Sequence, residues 1–288
     1  LSSSSAASDV YKRQIVNCDE TWCKVRKYDH YKKCYMWVLV NKAERLVIFF
    51  YEDGSRGRDV LTNFLGDAEL KALMSDGYNA YVFIGDELKT HRYKDTDHQV
   101  CLAHVRAKFV KARMEGGDKR ADVFLGNINR LFRFEREYDR EMITDGERTR
   151  RRQGLPTMEA MINLRANLLQ ELKSEEEQKS CYMREALNYL HKFWNEAFTY
   201  IKDGRYPISN NLAERAVRPF TTKRKNSLHF GSDEGAEIAA VYHSIISTVK
   251  LQGRSAWDYL GKFFTGIFNG CRDFLSLTPQ NIDLAVCQ

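Results

Sequence analysis

The sequence lacks any apolar run long enough to cross a bilayer, which excludes a helical membrane protein. Such a helix needs about 18–20 consecutive apolar residues, whereas LVIFF at 46–50 is only strand-sized. Signals for a P-loop, a GxGxxG motif and Ser-His-Asp or Cys-His catalysis are also missing, so the usual signs of nucleotide-binding and covalent hydrolytic enzymes are absent. No charged and then apolar signal segment opens the chain, and the default expectation is therefore a cytoplasmic location.

Cysteine pairs with metal-ligand spacing are lacking as well. The seven cysteines are an odd number and contain no CxxC, which argues for a reducing compartment and against a disulfide framework or a zinc ribbon. Cys101 and His104 lie one helical turn apart. They could form half of a zinc site, but no second pair completes it, so packing or a buried hydrogen bond is the favoured interpretation.

What the sequence does contain is enough apolar residues for a folded core. A hydrophobic fraction of 43% and an aromatic fraction of 12% exclude a disordered or fibrous chain. The 288 residues allow one large domain or two small ones. The net charge of +6 permits a nucleic-acid partner without requiring one.

The first fourteen residues, LSSSSAASDVYKRQ, do not resemble the start of a folded domain. Their Ser/Ala run has low complexity, and DVYKRQ can be back-translated into a sequence that resembles a transposon-end adapter of sequencing libraries. We expect residues 1–14 to be a read-through artefact and the natural chain to have been cut near Ile15. The alternative is a flexible natural N-terminus.

The residues that follow predict β structure that gives way to helices. Three β-rich segments with a short polar loop between the last two predict strands: IVNCDETWCKVR, CYMWVLV and RLVIFFY. DVLTNFLG predicts a short helix. ELKALMSDG (69–77) predicts a strand that ends in a turn, and YVFIGD (81–86) is a further apolar run with an even more strand-like context.

From about residue 103 to 203 the apolar residues recur at helical spacing, which predicts an all-helical block. The charged stretch DGERTRRRQG and Pro156 are expected to separate two of its helices. A turn-rich stretch, DGRYPISNN, ends the block. Beyond it, three segments predict helices, the second stopped by Gly253: LAERAVRPF, AEIAAVYHSIISTVKLQG and AWDYLGKFFTGIF.

Three acidic residues stand at positions suited to metal-dependent phosphodiester chemistry. Asp19 lies in the first strand, Asp76 ends a later strand, and Glu214 begins a helix. Mg²⁺ takes oxygen ligands and is usually held by a few carboxylates. Two such ions about 4 Å apart can activate a water or a 3′-hydroxyl and stabilise the leaving oxygen.

Each acid also has a plainer interpretation. Asp19 could be an ordinary strand-end acid, with Glu20 as a rival for its role. Asp76 begins an Asp-Gly turn, and Asp86, after the strand-like VFIG, competes with it. Glu214 stands three residues after an asparagine, as in a helix capping box.

A basic cluster next to Glu214 favours a polyanionic substrate, because phosphate contacts dominate nucleic-acid affinity. Residues 214–225 contain five basic side chains and one acid. The alternative is a solvated basic face at a helix end. The candidate DNA-binding residues are Asn211, Arg215, Arg218, Lys223, Arg224 and Lys225.

Four blocks in this order closely resemble the transposases of the insertion-sequence 66 family. NNLAERAVRPFTTKRKN at 210–226 is similar to the family's NNxAERAIRPxxxxRKN. DET at 19–21 also agrees, SDGYNAY at 75–81 resembles DGYxxYN, and CLAHVRAKF at 101–109 resembles CxAHxRRKF. The resemblance covers about 15–275.

The resemblance implies a DDE transposase of α/β class: a ribonuclease-H-like mixed sheet flanked by helices, with an all-helical insertion before the last catalytic acid. Asp19, Asp76 and Glu214 would be the catalytic and metal-binding acids, Asp86 would lose its claim, and Cys101 and His104 would be structural. The expected divisions are a catalytic core in two parts (15–102 and 204–253), the insertion (103–203) and a C-terminal tail (254–288).

The implied activity is cleavage and strand transfer of DNA with Mg²⁺, or with Mn²⁺ as a substitute. The implied partners are transposon-end and target DNA and, by analogy, a second copy of the chain in a homodimer on DNA. The place of action would be the nucleoid of a bacterial cytoplasm. The alternatives are a nuclease of the same fold without strand transfer and a catalytically inactive DNA-binding relic.

Overall fold

The computed structural model describes residues 14–174 and 179–283. The expected artefact at 1–14 therefore lies outside the described residues except for Gln14, which begins the first strand. The chain divides into two compact units, one formed by the residues up to Glu69 and from Leu212 onwards, the other by Leu70–Asn211. Within the described ranges, no helix has the length and apolar character needed to span a membrane.

The described residues form a mixed α/β fold with five strands and ten α-helices. In chain order these elements are β1 (Gln14–Arg26), β2 (Tyr31–Asn41), β3 (Leu46–Glu52), α1 (Arg58–Leu65), β4 (Leu70–Ser75), β5 (Asp97–Val100), α2 (Leu102–Met114), α3 (Ala121–Glu141), α4 (Asp145–Arg152), α5 (Leu155–Lys173), α6 (Cys181–Lys192), α7 (Trp194–Phe198), α8 (Asn211–Ser227), α9 (Asp233–Leu251) and α10 (Ala256–Phe268).

The first unit is built on the three antiparallel strands β1, β2 and β3. Their β-branched and aromatic residues suit a pleated, half-buried surface, and all three predicted strands are confirmed. The register pairs Asp19 with Val38 and Cys23 with Cys34. The predicted loop between β2 and β3 is a tight turn in which Arg45 has a φ of +48°.

Helices α8 and α9 cover one face of these strands. Ala213, Val217 and Phe220 of α8 recur at helical spacing and lie in one buried cluster with Cys23 and Val25 of β1. Helix α9 also provides hydrogen-bond acceptors for backbone N–H groups of β3. The Ser244 and Thr248 hydroxyls accept hydrogen bonds from the N–H groups of Phe49 (2.7 Å) and Val47 (3.0 Å). Without these bonds, the two N–H groups would be unpaired donors at the edge of the sheet.

The second unit combines the parallel pair β4 and β5 with helices α2 to α7, and the predicted helical block is confirmed. Its core includes a buried ion pair. Arg152 of α4 donates to both carboxylate oxygens of Glu135 on α3, from Nε at 2.8 Å and from Nη2 at 2.7 Å. It also donates to the carbonyl oxygens of Tyr200 (2.7 Å) and Asp203 (2.6 Å).

Two local predictions were wrong. The strand-like context of YVFIGD is a 3-10 turn at Asn79–Tyr81 followed by further turns, closed by Gly85 with a φ of +73°. The charged stretch after residue 144 does not merely separate helices: it forms α4, because Thr144 caps its N-terminus (3.3 Å to the N–H of Glu147). LAERAVRPF and the basic TTKRKN form one helix, α8, with Pro219 inside it.

Candidate functional site

Asp19 lies in the middle of β1, on the face covered by α8. Side chains alternate along a strand, so Asp19 shares its face with Cys23 and Val25, which pack in the same cluster as α8. Asp19 is half-buried, and its Oδ1 accepts the N–H of Glu20 at 2.9 Å. The strand therefore fixes the direction of this carboxylate toward the helix-covered side of the unit.

The rival acid Glu20 points to the opposite face, where it has a structural partner. Its side chain is only 1% exposed and forms an ion pair with Arg56, whose Nε donates to Oε1 at 2.7 Å. A buried carboxylate needs such a partner to remain charged. Glu20 thus binds Arg56, which follows β3 in the chain, on the side of β1 away from α8.

Glu214 is half-buried in the first turn of α8, and α8 runs in the same direction as β1. Near the end of α8, Arg224 Nη1 donates to Thr21 Oγ1 at 2.9 Å, and three residues beyond the helix Phe230 donates to the carbonyl of Lys24 at 2.8 Å. Earlier residues of α8 therefore lie beside earlier residues of β1.

The spacing along both elements places the two acids toward the same end of the first unit. Glu214 precedes Arg224 by about 15 Å of helix, and Asp19 precedes Thr21 by about 7 Å of strand. Asp19 and Glu214 therefore both lie toward the same end of the first unit, on a strand and a helix whose apolar side chains share one buried cluster.

Asp76 belongs to the second unit, where it immediately follows β4 as the strand pattern predicted. Its Oδ1 accepts the N–H of Tyr78 at 2.9 Å, and its carbonyl accepts a hydrogen bond from the Tyr189 hydroxyl of α6. Burial, followed by the nearby Asp76 charge, raises the pKa of Tyr189, so its hydroxyl stays protonated as the donor. Between these contacts Gly77 adopts a φ of +79°.

The rival acid Asp86 has a local role on the surface of the second unit. Its Oδ1 accepts the N–H of Leu88 at 3.0 Å, and its Oδ2 lies 2.6 Å from Lys89 Nζ. The hydrogen bond with Lys89 lowers the pKa of Asp86. These contacts are those of a turn-capping acid.

Cys101 makes a buried hydrogen bond. The sequence favours such a bond, or simple packing, over a role for Cys101 and His104 as half of a zinc site. Its Sγ accepts the N–H of Asn210 at 3.1 Å, and its own N–H donates to the carbonyl of Ser75 at 2.9 Å. His104 follows on the first turn of α2 and is half-buried. Cys101 therefore joins the end of β4, next to Asp76, to the segment that leads into α8.

Among the predicted DNA-binding residues, Arg224 is held against β1. Its guanidinium carbon lies 3.9 Å from the Trp22 ring centroid, and Nη1 also donates to the Trp22 carbonyl at 2.6 Å. Burial lowers the pKa of Arg224. The remaining candidates are exposed on α8: Asn211, Arg215, Arg218, Lys223 and Lys225.

The family follows from similarity to known proteins. The family model described as "Transposase IS66 family" matches residues 4–238. The chain belongs to the IS66 transposase family. The resemblance based on the four motif blocks is thereby confirmed.

Relatives of this IS66 family member include three proteins of Sinorhizobium fredii, all named as uncharacterized. Protein y4jD is 29% identical over 83% of the chain, y4qI 27% over 82%, and y4hP 24% over 84%. These matches cover 47%, 43% and 46% of the three relatives. The chain thus spans less than half the length of the curated relatives it matches.

Two contacts that hold the motif blocks of this IS66 family member in place were not predicted from the sequence. One is Tyr189, which holds the Asp76 turn from 113 residues away. The other is the stacking of Arg224 on Trp22, which fixes the basic end of α8 to β1. Neither contact has a local signal, because each joins residues that are distant along the chain.

Proposed function

We propose that this chain performs the catalytic step of DNA transposition: metal-dependent phosphodiester cleavage followed by strand transfer. Membership of the IS66 transposase family supports a transposase role and DNA as the substrate. The observation that carries the proposal beyond the family is the placement of Asp19 and Glu214. Both are half-buried acids on facing elements of one unit, next to the exposed basic face of α8.

We also propose that the catalytic core is ribonuclease-H-like. Three antiparallel strands, a helix and a parallel strand pair follow one another, which agrees with the mixed sheet that the family resemblance implies. The helical block between β5 and α8 corresponds to the insertion expected before the last acid. It accounts for the long separation between Asp76 and Glu214.

Asp19, Asp76 and Glu214 suit a hard divalent cation, because each offers carboxylate oxygens and each is half-buried. Bound Mg²⁺, or Mn²⁺ in its place, would supply Lewis-acid stabilisation of the phosphodiester and lower the pKa of the attacking water or 3′-hydroxyl. The chain's own part is positional: β1 fixes Asp19, the turn after β4 fixes Asp76, and the first turn of α8 fixes Glu214.

The exposed basic residues of α8 would hold the DNA backbone near these acids. Arg215, Arg218 and Lys225 project from the helix that carries Glu214, so a strand bound along α8 would bring its phosphates to the acid end. Phosphate contacts of this kind position DNA without reading its sequence. Because two transposon ends must be joined, we further propose a homodimer on DNA, acting at the bacterial nucleoid.

A Mn²⁺ titration together with nicking of supercoiled plasmid tests this function. We expect wild-type protein to bind Mn²⁺ and nick DNA, and we expect D19N, D76N and E214Q to lose nicking while they still bind DNA. D86N is the matched control, because Asp86 is also a half-buried turn acid, and it should nick normally. Normal nicking by D76N together with loss in D86N would transfer the role to Asp86. If wild-type protein bound no Mn²⁺, or bound it no better than D19N does, the chain would be a catalytically inactive DNA-binding relic.

A further inference from the structure

A cavity of about 200 Å³ lies at the C-terminal end of α8, and neither Asp19 nor Glu214 lines it. Its wall is aromatic: the rings of Phe220 and Phe230 stack with centroids 5.9 Å apart, and the His243 ring meets Phe220 edge-on at 5.3 Å. An apolar cavity of about 150 Å³ is enough to hold benzene in another protein. The volume and the flat walls therefore suit a single planar ring.

The mouth of this cavity is basic, in contrast to its interior. Lys24 and Lys223 line it and are exposed, and His229, also exposed, packs edge-on against Tyr31 at 4.6 Å. Aromatic walls with lysines at the entrance match a ligand that joins a planar ring to a phosphate. A nucleotide of DNA has this combination, because bases stack on aromatic side chains while basic groups follow the backbone.

Leu228 at the mouth has an unusual backbone. Its φ of +51° is in the left-handed region that residues other than glycine rarely adopt. Its side chain is nevertheless 66% exposed and lines the cavity. Strained residues of this kind cluster at ligand clamps. An apolar side chain held over an aromatic cavity can cover the outer face of a bound ring.

His243 provides polar recognition inside the cavity. Burial, then the charges of Lys223 and Lys250, lower the pKa of His243, so its imidazole is neutral at neutral pH. A neutral imidazole offers one hydrogen-bond donor and one acceptor. Both kinds of group occur on the edge of a DNA base.

We propose that this cavity binds one unstacked base of DNA, with the ring between Leu228 and the Phe220–Phe230 wall and the adjoining phosphate at Lys24 and Lys223. The proposal rests on the proposed function, because it takes DNA as the substrate, and it adds a base-binding subsite separate from the acids. A free nucleotide shares the same ring-and-phosphate chemistry, so the test must separate the two sources.

Equilibrium binding of three probes to the full chain tests the subsite: an oligothymidylate of about a dozen nucleotides, an abasic oligonucleotide of the same length, and thymidine monophosphate. We expect wild-type protein to prefer the base-bearing strand over the abasic one by about 5- to 150-fold, as one stacked base provides. The monophosphate should bind far more weakly than the oligothymidylate. K223A should weaken both strands alike, because it removes a phosphate contact.

Leu228→Gly is the decisive variant, since glycine adopts this backbone without strain and the fold should survive. It should lose most of the preference for base-bearing DNA. Leu88→Gly is the matched control, because Leu88 is 98% exposed and does not line the cavity; it should keep the preference. Equal binding of the two strands by wild-type protein, an unchanged preference in L228G, or a monophosphate that binds as tightly as the strand would each overturn the proposal.

The plasmid-nicking assay distinguishes the failure of this subsite from the failure of the proposed function. Metal-dependent nicking without base preference would overturn the subsite and retain the catalytic proposal. Base preference without nicking would retain the subsite and overturn the catalytic proposal. D19N should keep the base preference of wild-type protein, because Asp19 lies outside the cavity lining.

Discussion

Replacing Gly77 by alanine should destabilise the Asp76 turn through two separate costs. Gly77 has a φ of +79°, which costs alanine about 1–2 kcal/mol. An added Cβ would also lie 2.6 Å from Tyr189 Oη and 3.2 Å from Phe193 Cε2. Moving the Tyr189 hydroxyl would break its bond to the Asp76 carbonyl, at about 0.5–1.5 kcal/mol. We therefore expect G77A to lower the free energy of unfolding by about 2–3 kcal/mol.

A double-mutant cycle with Tyr189→Phe separates these costs. Y189F alone removes the hydrogen bond and should cost about 1 kcal/mol. Because phenylalanine has no Oη, the closest contact of the new Cβ is absent from G77A/Y189F. The double variant should therefore be less destabilised than the sum of the single variants by about 1 kcal/mol. The backbone cost should remain.

Urea unfolding followed by circular dichroism measures the four free energies, and Gly270→Ala provides the matched control. Gly270 has a similar φ, +83°, but nothing lies within 4 Å of an added Cβ, so G270A reports the backbone cost alone. A G77A variant no less stable than G270A, or an additive cycle, would refute the steric reasoning. The same G77A protein should nick DNA more slowly, because the turn holds Asp76.

Three further predictions follow from the charged residues. Arg218→Ala should reduce the slope of log DNA affinity against log salt concentration by about 1 without changing stability. Arg224→Ala should instead lower the melting temperature, because the Arg224 guanidinium stacks on Trp22 and donates a hydrogen bond to Thr21, both in β1. Arg152→Met should cost about 1.5–3 kcal/mol of unfolding free energy, since it removes the bidentate partner of buried Glu135, which keeps only its 3.0 Å contact with Arg148. Asp53, whose pKa Lys27 holds down to about 2 from an ordinary 3.8, should contribute stability that is present above about pH 4 and lost as the pH falls toward 2. Asp53→Asn should therefore flatten the acid side of the stability profile.

Each of these predictions has a contrary result. Identical salt slopes for R218A and wild-type protein would remove Arg218 from the DNA-binding face. An R152M variant within about 1 kcal/mol of wild-type protein would mean that the pair contributes little beyond an apolar contact. A D53N profile that still falls between about pH 4 and 2 as steeply as that of wild-type protein would assign the acid loss to other carboxylates.

Much of the first unit could be predicted from the sequence, because its signals are local. Strands β2 and β3 are dense in β-branched and aromatic residues, and the loop between them is short and polar. Such segments have one well-packed solution on a half-buried sheet. The position of Asp19 within β1 and of Asp76 directly after β4 followed from the same patterns.

The errors arose where tertiary contacts override local preference. YVFIGD is apolar but forms turns, whereas β5 contains Asp97, His98 and Gln99 and shows no strand pattern. Buried His98 is accommodated there because it hydrogen-bonds Ser75 of β4 at 3.0 Å. Burial lowers the pKa of His98 to about 4, so it is neutral in this position. A partner on another strand cannot be inferred from the composition of β5.

Strand transfer is the most direct test of the claim that Asp19, Asp76 and Glu214 form the catalytic centre of a transposase. Pre-cut ends of the DNA element that carries this gene would be incubated with target plasmid, Mg²⁺ and the wild-type chain or its D19N, D76N, E214Q and D86N variants. We expect joined products with wild-type protein and D86N and none with the other three variants. Nicking without joining by wild-type protein would identify a nuclease of the same fold, and joining by any of the three acid variants would contradict the assignment of the acids.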